Sequence, residues 1–227
     1  MYSLKYCKPE TISEAVSALK NTQDASFIAG GHTLIPTLKQ RLANPSLLID
    51  LSRCGLSGIS KAHNSLIIGA MTCHADVARD KNVAKLNPGL TTLAGGIGDR
   101  QVRNCGTIGG SVANNDPAAC YPSAVLALGG MIHTHRRDIA ADEFFTGMFE
   151  TALGDDEIIT AITIPNPQKS AYVKFPNPAS RYAMVGVFVA KFANRVQVAV
   201  TGAGEDGVFR AKDIEAALSD NFDAASL

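Results

Sequence analysis

The chain has 227 residues, 46% of them hydrophobic and 19% charged, enough apolar material to bury one large core or two smaller ones. That composition excludes a disordered chain, and 21 Lys and Arg set against 21 Asp and Glu leave no broad field for concentrating nucleic acid or an anionic membrane. The polar start MYSLKYCKPETISEAV lacks the apolar stretch of a secretory signal, and no apolar run is long enough to span a bilayer, so a soluble cytoplasmic protein is expected.

Thr11, with Glu14 three residues on and an apolar run behind it, makes a capping box that opens a helix to about Leu19. Ala25–Ile28 reads as a short strand running into Ala29-Gly30-Gly31-His32-Thr33, after which Leu34, Leu38 and Leu42 recur at helical spacing on one face. Residues 47–51 read as another buried strand, so residues 1 to about 55 form a small α/β unit with parallel strands. Beyond it, 65–70 reads as a strand and 75–79 as the start of a helix, followed by a Gly- and Asn-rich stretch at 94–116. An apolar helix at 122–128, a strand at Met131–Thr134 and an alternating strand at 157–164, stopped by Pro165, come next. Pro165-Asn166-Pro167 is the strongest boundary signal, and strands at 183–192 and Val196–Thr201 with a helix at 211–218 complete an α+β arrangement.

Cys7, Cys54, Cys73, Cys105 and Cys120 are odd in number and widely spaced, with no CxxC pair, and read as reduced thiols. His133 and His135 share one face of a strand, but no third metal ligand accompanies them, and a solvated strand end is the simpler reading.

The chemistry lies in two loops. In Ala29-Gly30-Gly31-His32-Thr33 adjacent glycines after a strand permit positive φ and bring N–H groups close to a bound anion, at a helix start whose dipole favours negative charge. The stretch Thr107-Ile108-Gly109-Gly110-Ser111 repeats the device with a hydroxyl on either side, and Asn115 and Asp116 add polar groups. Two such loops would clamp one long dinucleotide, although each Gly-Gly taken singly is also the mark of a plain tight turn. Neither loop is a Walker sequence or a GxGxxG fingerprint.

The stretches FIAGGHTLIPTLKQRLANPSLLIDL, IGDRQVRNCGTIGGSVANNDPAACYPSAVLALGG, FFTGMFETALGDDEIITAITIP and KFPNPASRYAMVGV together resemble, in order from about residue 2 to 218, the medium, flavin-carrying subunit of the molybdenum hydroxylases. The resemblance implies an α+β fold: a two-subdomain vanillyl-alcohol-oxidase-type FAD-binding domain at 1–165 (about 1–55 and 56–165), then a shortened or divergent C-terminal domain of the carbon monoxide dehydrogenase flavoprotein type at 166–227. It implies noncovalent FAD, held by the two loops, with Ile158 or Ile159 near the flavin or adenine. Tyr172 and Lys174 fall on a segment that in relatives reaches toward the isoalloxazine. Arg100, Gln101, Arg103 and Asn104 would line the cofactor mouth or a partner surface, or form a solvated loop. Cys120 stands where many relatives carry an acidic residue, and relatives continue for tens of residues past the end at Leu227.

The implied activity is oxidoreductase electron transfer without hydroxylation by this chain. A small subunit with [2Fe-2S] clusters would supply electrons and a large subunit would carry the molybdenum cofactor, in a dimer of heterotrimers, with oxygen, NAD or a quinone as acceptor. No metal is expected on this chain. A self-sufficient flavin oxidase of the same fold and a scaffold that has lost FAD are the alternatives, the scaffold being disfavoured because both glycine pairs are intact. Valine at Gly110 or Gly30 is expected to remove FAD and spare the fold, by obstructing the phosphate and disfavouring positive φ.

Overall fold

The computed structural model describes residues 1–223. The first layer comprises β1 (Lys5–Cys7), α1 (Ile12–Lys20), β2 (Ala25–Ile28), α2 (Leu34–Lys39) and β3 (Leu47–Asp50), with the strands parallel in the order β1-β3-β2. Thr11 caps α1, its hydroxyl accepting from Glu14 N at 3.2 Å, while the Glu14 carboxylate accepts from Glu10 N at 2.9 Å. The capping box therefore closes one residue earlier than its usual return to the cap itself. Helix α2 ends at Lys39, and Arg41 turns the chain with φ +62°, so Leu42 lies outside the helix and is 75% exposed rather than on its buried face. Ala15, Leu47, Ile49 and Leu51 pack between α1 and the sheet, and Met71 and Ile158 reach into the same cluster from further along the chain.

The second layer follows with β4 (Ile59–Ala62), β5 (Ser65–Gly69), and the helices α3 (His74–Arg79), α4 (Lys81–Leu86), α5 (Pro88–Gly95), α6 (Arg100–Cys105), α7 (Ile108–Asn114) and α8 (Tyr121–Ala127). Then come β6 (Met131–Thr134), β7 (Asp138–Ala140), α9 (Ala141–Phe144), β8 (Phe145–Gly147), β9 (Glu150–Thr151) and β10 (Ile159–Pro165). The five-stranded sheet has the order β4-β5-β10-β6-β7, and each neighbouring pair is antiparallel. Its central strand β10 ends at Pro165, paired with Ser65, where a residue lacking N–H is tolerated.

A four-stranded antiparallel sheet completes the molecule: β11 (Lys169–Pro176), β12 (Ala183–Lys191), β13 (Val196–Thr201) and β14 (Phe209–Arg210), followed by α10 (Lys212–Asp220). One face of it, carrying Tyr172, Phe188, Ala190 and Ala199, joins the same core as Leu90, Val125, Ile132 and Ile162. The other face is covered by α10, where Leu218 packs with Val196 and Val198. Among the described residues no helix is long and apolar enough to cross a membrane.

Candidate functional site

The two glycine loops meet. A Cβ placed on Gly30 would lie 2.4 Å from the Cys105 carbonyl oxygen and 2.7 Å from Gly106 Cα, so the first loop rests directly on the backbone leading into the second. The second loop is pinned to the segment after β5 by His74 N to Gly106 O (2.9 Å), Ile108 N to Thr72 O (3.1 Å) and Gly109 N to Ala70 O (2.8 Å). A Cβ on Gly109 would meet Ala70 Cβ at 2.6 Å, and one on Gly106 would meet His74 Nε2 at 2.6 Å. Gly30, Gly106 and Gly109 are thus demanded by packing, whatever the cavity holds.

Positive φ belongs to one of the loop glycines only. Gly31 has φ +70°, while Gly109 and Gly110 lie in the first turn of α7, and Gly30 and Gly110 both lack the left-handed conformation. The expectation that valine at Gly110 acts through φ is corrected accordingly, as is the expectation that valine at Gly30 spares the fold. At Gly110 the absent side chain would meet Thr107 Oγ1 at 2.9 Å and Ala29 Cβ at 3.5 Å. Thr107 is the N-cap of α7 and accepts from Gly110 N at 3.1 Å.

Between the loops and β11 opens a cavity of about 580 Å³, inside the about 300–1,000 Å³ range of cofactor sites. Ala29, Gly30, Gly31, His32, Thr33, Thr107, Gly109, Gly110, Ser111, Asp116, Ile158, Ile159 and Lys174 all line it. Among the described residues the backbone N–H groups of Gly31, His32 and Thr33 donate to no protein acceptor. Three adjacent donors at a cavity wall, beside a glycine that leaves the approach open, fit the diphosphate of a dinucleotide. Ile158 and Ile159 form an apolar floor where the cores of the first and second layers touch.

Three expected site residues do not line the cavity. Ile108 is fully buried in the main core. Asn115 closes α7 in the left-handed conformation, φ +42°, and its amide donates to Gly147 O and Glu150 O, both at 2.8 Å, holding the β8–β9 hairpin. Tyr172 points from β11 into the core against Phe188, because inward-facing positions of that strand alternate and its hydroxyl lies over Gly186. Lys174, two residues on, does reach the wall, where its ammonium donates to Gly96 O (2.7 Å) and Arg181 O (3.0 Å). The segment with Arg100, Gln101, Arg103 and Asn104 is helix α6, whose Val102 lines the cavity while those four residues do not. There Arg103 donates to Ile97 O and Gly98 O, and Asn104 accepts from Arg79.

Sequence reasoning missed His74, Glu157 and Tyr182, all on the cavity wall. His74 is buried with Nδ1 unpartnered, and burial together with His32 and Arg103 lowers its pKa to about 4, so it is neutral at pH 7. Glu157 takes two bonds from Arg137, one from Thr134 and one from Gly154 N, and Arg137 above all holds its carboxyl down at about 2. Tyr182 stands at the rim with Ser180 and Arg181, and its hydroxyl pKa is raised, mainly by burial. A lone His before an apolar helix and a Glu at a strand start carry no spacing signal, which is why neither was visible in the sequence. His133, by contrast, is engaged by Asp138 and Thr163, both at 2.7 Å, and His135 accepts from Ile158 N at 3.2 Å, so the pair belongs to the hydrogen bonding of the sheet.

Comparison with known proteins agrees with this geometry. Residues 2–167 match the family described as the FAD binding domain in molybdopterin dehydrogenase. The chain is 35% identical over 212 residues to the nicotine 6-hydroxylase medium subunit of Paenarthrobacter nicotinovorans, covering 88% of this chain and 75% of that one. It is 39% identical over 197 residues to the carbon monoxide dehydrogenase medium chain of Afipia carboxidovorans, covering 82% and 68%. Among solved structures, carbon monoxide dehydrogenase from Hydrogenophaga pseudoflava superposes with a TM-score of 0.91 at 32% identity, over 99% of this chain and 83% of that one. Quinoline 2-oxidoreductase from Pseudomonas putida superposes at 0.88 with 29% identity, over 96% and 80%. The chain, an α+β flavoprotein of oxidoreductase type, belongs to the family of FAD-binding domains of the molybdopterin dehydrogenases.

Proposed function

We propose that this chain is the FAD-carrying electron-transfer subunit of a molybdenum hydroxylase, standing between the [2Fe-2S] clusters of a small partner subunit and an external acceptor, with hydroxylation left to a large molybdenum-cofactor subunit. The observation that carries the reading is the convergence of residues 29–33 with Thr107, Gly109, Gly110 and Ser111 on one cavity whose wall offers unpartnered backbone donors. FAD, when bound, supplies chemistry that handles both one- and two-electron exchange. The chain's own contribution is positional. Gly31, His32 and Thr33 present N–H groups to the diphosphate, Gly110 leaves room beside them, and Ile158 and Ile159 give the ring systems an apolar floor. Lys174, Arg181 and Tyr182 stand at the wall and rim from the C-terminal sheet. In this reading residues 1–165 are the FAD-binding domain and 166–227 a C-terminal domain docked on it through α5 and α8.

FAD is held here without a covalent bond. Acid precipitation of the protein as purified is expected to leave FAD in the supernatant, about one per chain. Flavin that stays with the precipitated polypeptide, or FMN in the supernatant, sinks this reading. Because Gly30 and Gly109 are required by packing, intact glycine pairs no longer argue against a scaffold that has lost FAD, and the visible spectrum decides that alternative. Reduction of the isolated flavoprotein by small organic substrates at enzymatic rates would favour the self-sufficient oxidase.

A further inference from the structure

Cys120 and Lys174 touch on the cavity wall. Cys120 stands at the N-terminal end of α8 and is 6% exposed, its remaining access being through the cavity. Lys174 reaches across from β11, and its Nζ lies 3.7 Å from Cys120 Sγ while donating to Gly96 O and Arg181 O. One flexible side chain thus ties together the end of α5, the rim segment at 177–182 and the start of α8. Among the described residues Lys174 forms no ion pair with a carboxylate. A thiol and an amine in contact at a cavity wall, with no carboxylate paired to the amine among the described residues, are placed for oxidative coupling.

We propose that Cys120 and Lys174 form an oxidation-triggered sulfur–nitrogen cross-link, with a hydroperoxide as the oxidant. In the first step the Cys120 sulfur attacks one peroxide oxygen, the O–O bond breaks, and a sulfenic acid and water result. In the second, the Lys174 amine, having released a proton to solvent, attacks that sulfur. The S–N bond forms, the S–O bond breaks, and hydroxide departs with the second amine proton as water. One thiol, one ammonium and one hydrogen peroxide give one sulfenamide, two waters and one proton. Sulfur is oxidised by two electrons and the peroxide is reduced. The coupling abolishes the ammonium charge and draws Nζ toward α8, away from Gly96 and Arg181, so it loosens the rim. Among the described residues no hydrogen bond joins the exposed Cys105 to a lysine, and its neighbour is Cys73.

The test treats the purified holoprotein with a modest excess of hydrogen peroxide, digests it without reductant and sequences the peptides by tandem mass spectrometry. The expected product is a joined pair of peptides linked at Cys120 and Lys174, lighter by two hydrogens than their sum, uncleaved by trypsin at Lys174 and separated by dithiothreitol. Lys174→Arg keeps a cation for the two carbonyls, and Cys120→Ser removes the thiol with little change of volume. Both variants are expected to stay folded by circular dichroism and to lose the joined pair completely. If Cys120 is recovered as free thiol, or as sulfinic acid with Lys174 unmodified, after Cys105 has been oxidised, the proposal is overturned. It is overturned equally if the pair survives in Lys174→Arg.

Discussion

Gly30 and Gly110 both line the cavity, one from each loop, yet a side chain would do different damage at each. At Gly30 the new Cβ meets backbone that cannot retreat, at 2.4 Å from Cys105 O. Gly30→Val is therefore expected to destabilise the fold by several kcal/mol, on the order of an overpacked core or more, and to appear as insoluble or low-melting protein. At Gly110 the obstacle is the Thr107 hydroxyl, and the space beyond belongs to the cavity. Gly110→Val is expected to remain folded, with circular dichroism unchanged and the flavin absorbance per polypeptide sharply reduced. A folded Gly110→Val protein with full flavin content would mean that the second loop is only a turn. Two other residues contribute to the response to acid. His74 is held to about 4 from an unfolded value of 6.5, chiefly by burial. The unfolded state therefore takes up its proton first, and the contribution of His74, complete above pH 6.5, is lost as pH falls toward 4. Glu157 is held to about 2 from 4.5, so its contribution, complete above pH 4.5, is lost as pH falls toward 2. Urea midpoints against pH are expected to fall in two stages. Glu157→Gln should shrink the lower stage, to which Asp50, Asp99 and Asp156, also held below the usual carboxylate value, contribute as well, and His74→Asn should remove the upper; an unaltered upper stage in His74→Asn would remove His74 from the account.

Helix α7 shows how a local device supports both fold and site. Its N-cap Thr107 fixes Gly110, and its last residues hand the chain to Asn115, whose left-handed backbone and two amide bonds hold β8–β9 in place. Replacing Asn115 by Asp keeps the shape but turns a double donor into an acceptor facing two carbonyl oxygens. Each buried group left unsatisfied costs roughly 1–3 kcal/mol. Asn115→Asp is accordingly expected to melt well below wild type and below Asn115→Gly, which relieves the positive φ. An Asn115→Asp variant that melts with the wild type would show that the amide bonds contribute little. This helix also marks the limit of what the sequence displays. Glycines at 109 and 110 weaken intrinsic helix preference, and only the anchoring of Ile108 and Gly109 to Thr72 and Ala70 supplies what propensity withholds. Strand β11 was hidden for another reason. Its alternation is blurred by Val173 and Phe175 on the outward face and by the terminal Pro176, so no period of two emerges. The elements with a clean period or a cap, such as α1, β2, β6 and β13, stand where the residues indicate. At the site, the glycine loops were legible because their composition is unusual. His74 and Glu157 were not, because their roles depend on neighbours distant in sequence.

At the scale of the whole molecule, the C-terminal sheet leaves one apolar surface unfinished. On its outer face α10 packs over Val196 and Val198, while Val173 and Phe175 on the edge strand remain 71% and 67% exposed, with Val185 beside Phe175 in register. Scattered apolar residues on a surface need no explanation, but a contiguous group on a flat edge strand marks a contact site or an aggregation hazard. The chain's formal charge is zero, so long-range steering does little to bring a partner in, and the contact must rest on apolar burial. On the proposed function that contact would be with the electron-supplying iron–sulfur subunit, as β11 also carries Lys174 on the opposite face, at the cavity wall. Phe175→Ser should change the stability of the free chain by no more than about 0.5 kcal/mol, as for other exposed positions, and should leave its FAD content intact. A central aromatic anchor at an interface is worth about 2 kcal/mol or more, which corresponds to a dissociation constant weakened roughly 30-fold. A tag on this chain, expressed in the native host, is therefore expected to recover the small and large subunits with the wild type and little of either with Phe175→Ser, in low or high salt alike. Undiminished recovery with the variant would move the interface elsewhere. Recovery that collapses in high salt for the wild type would show that charge, and not this apolar edge, holds the complex together.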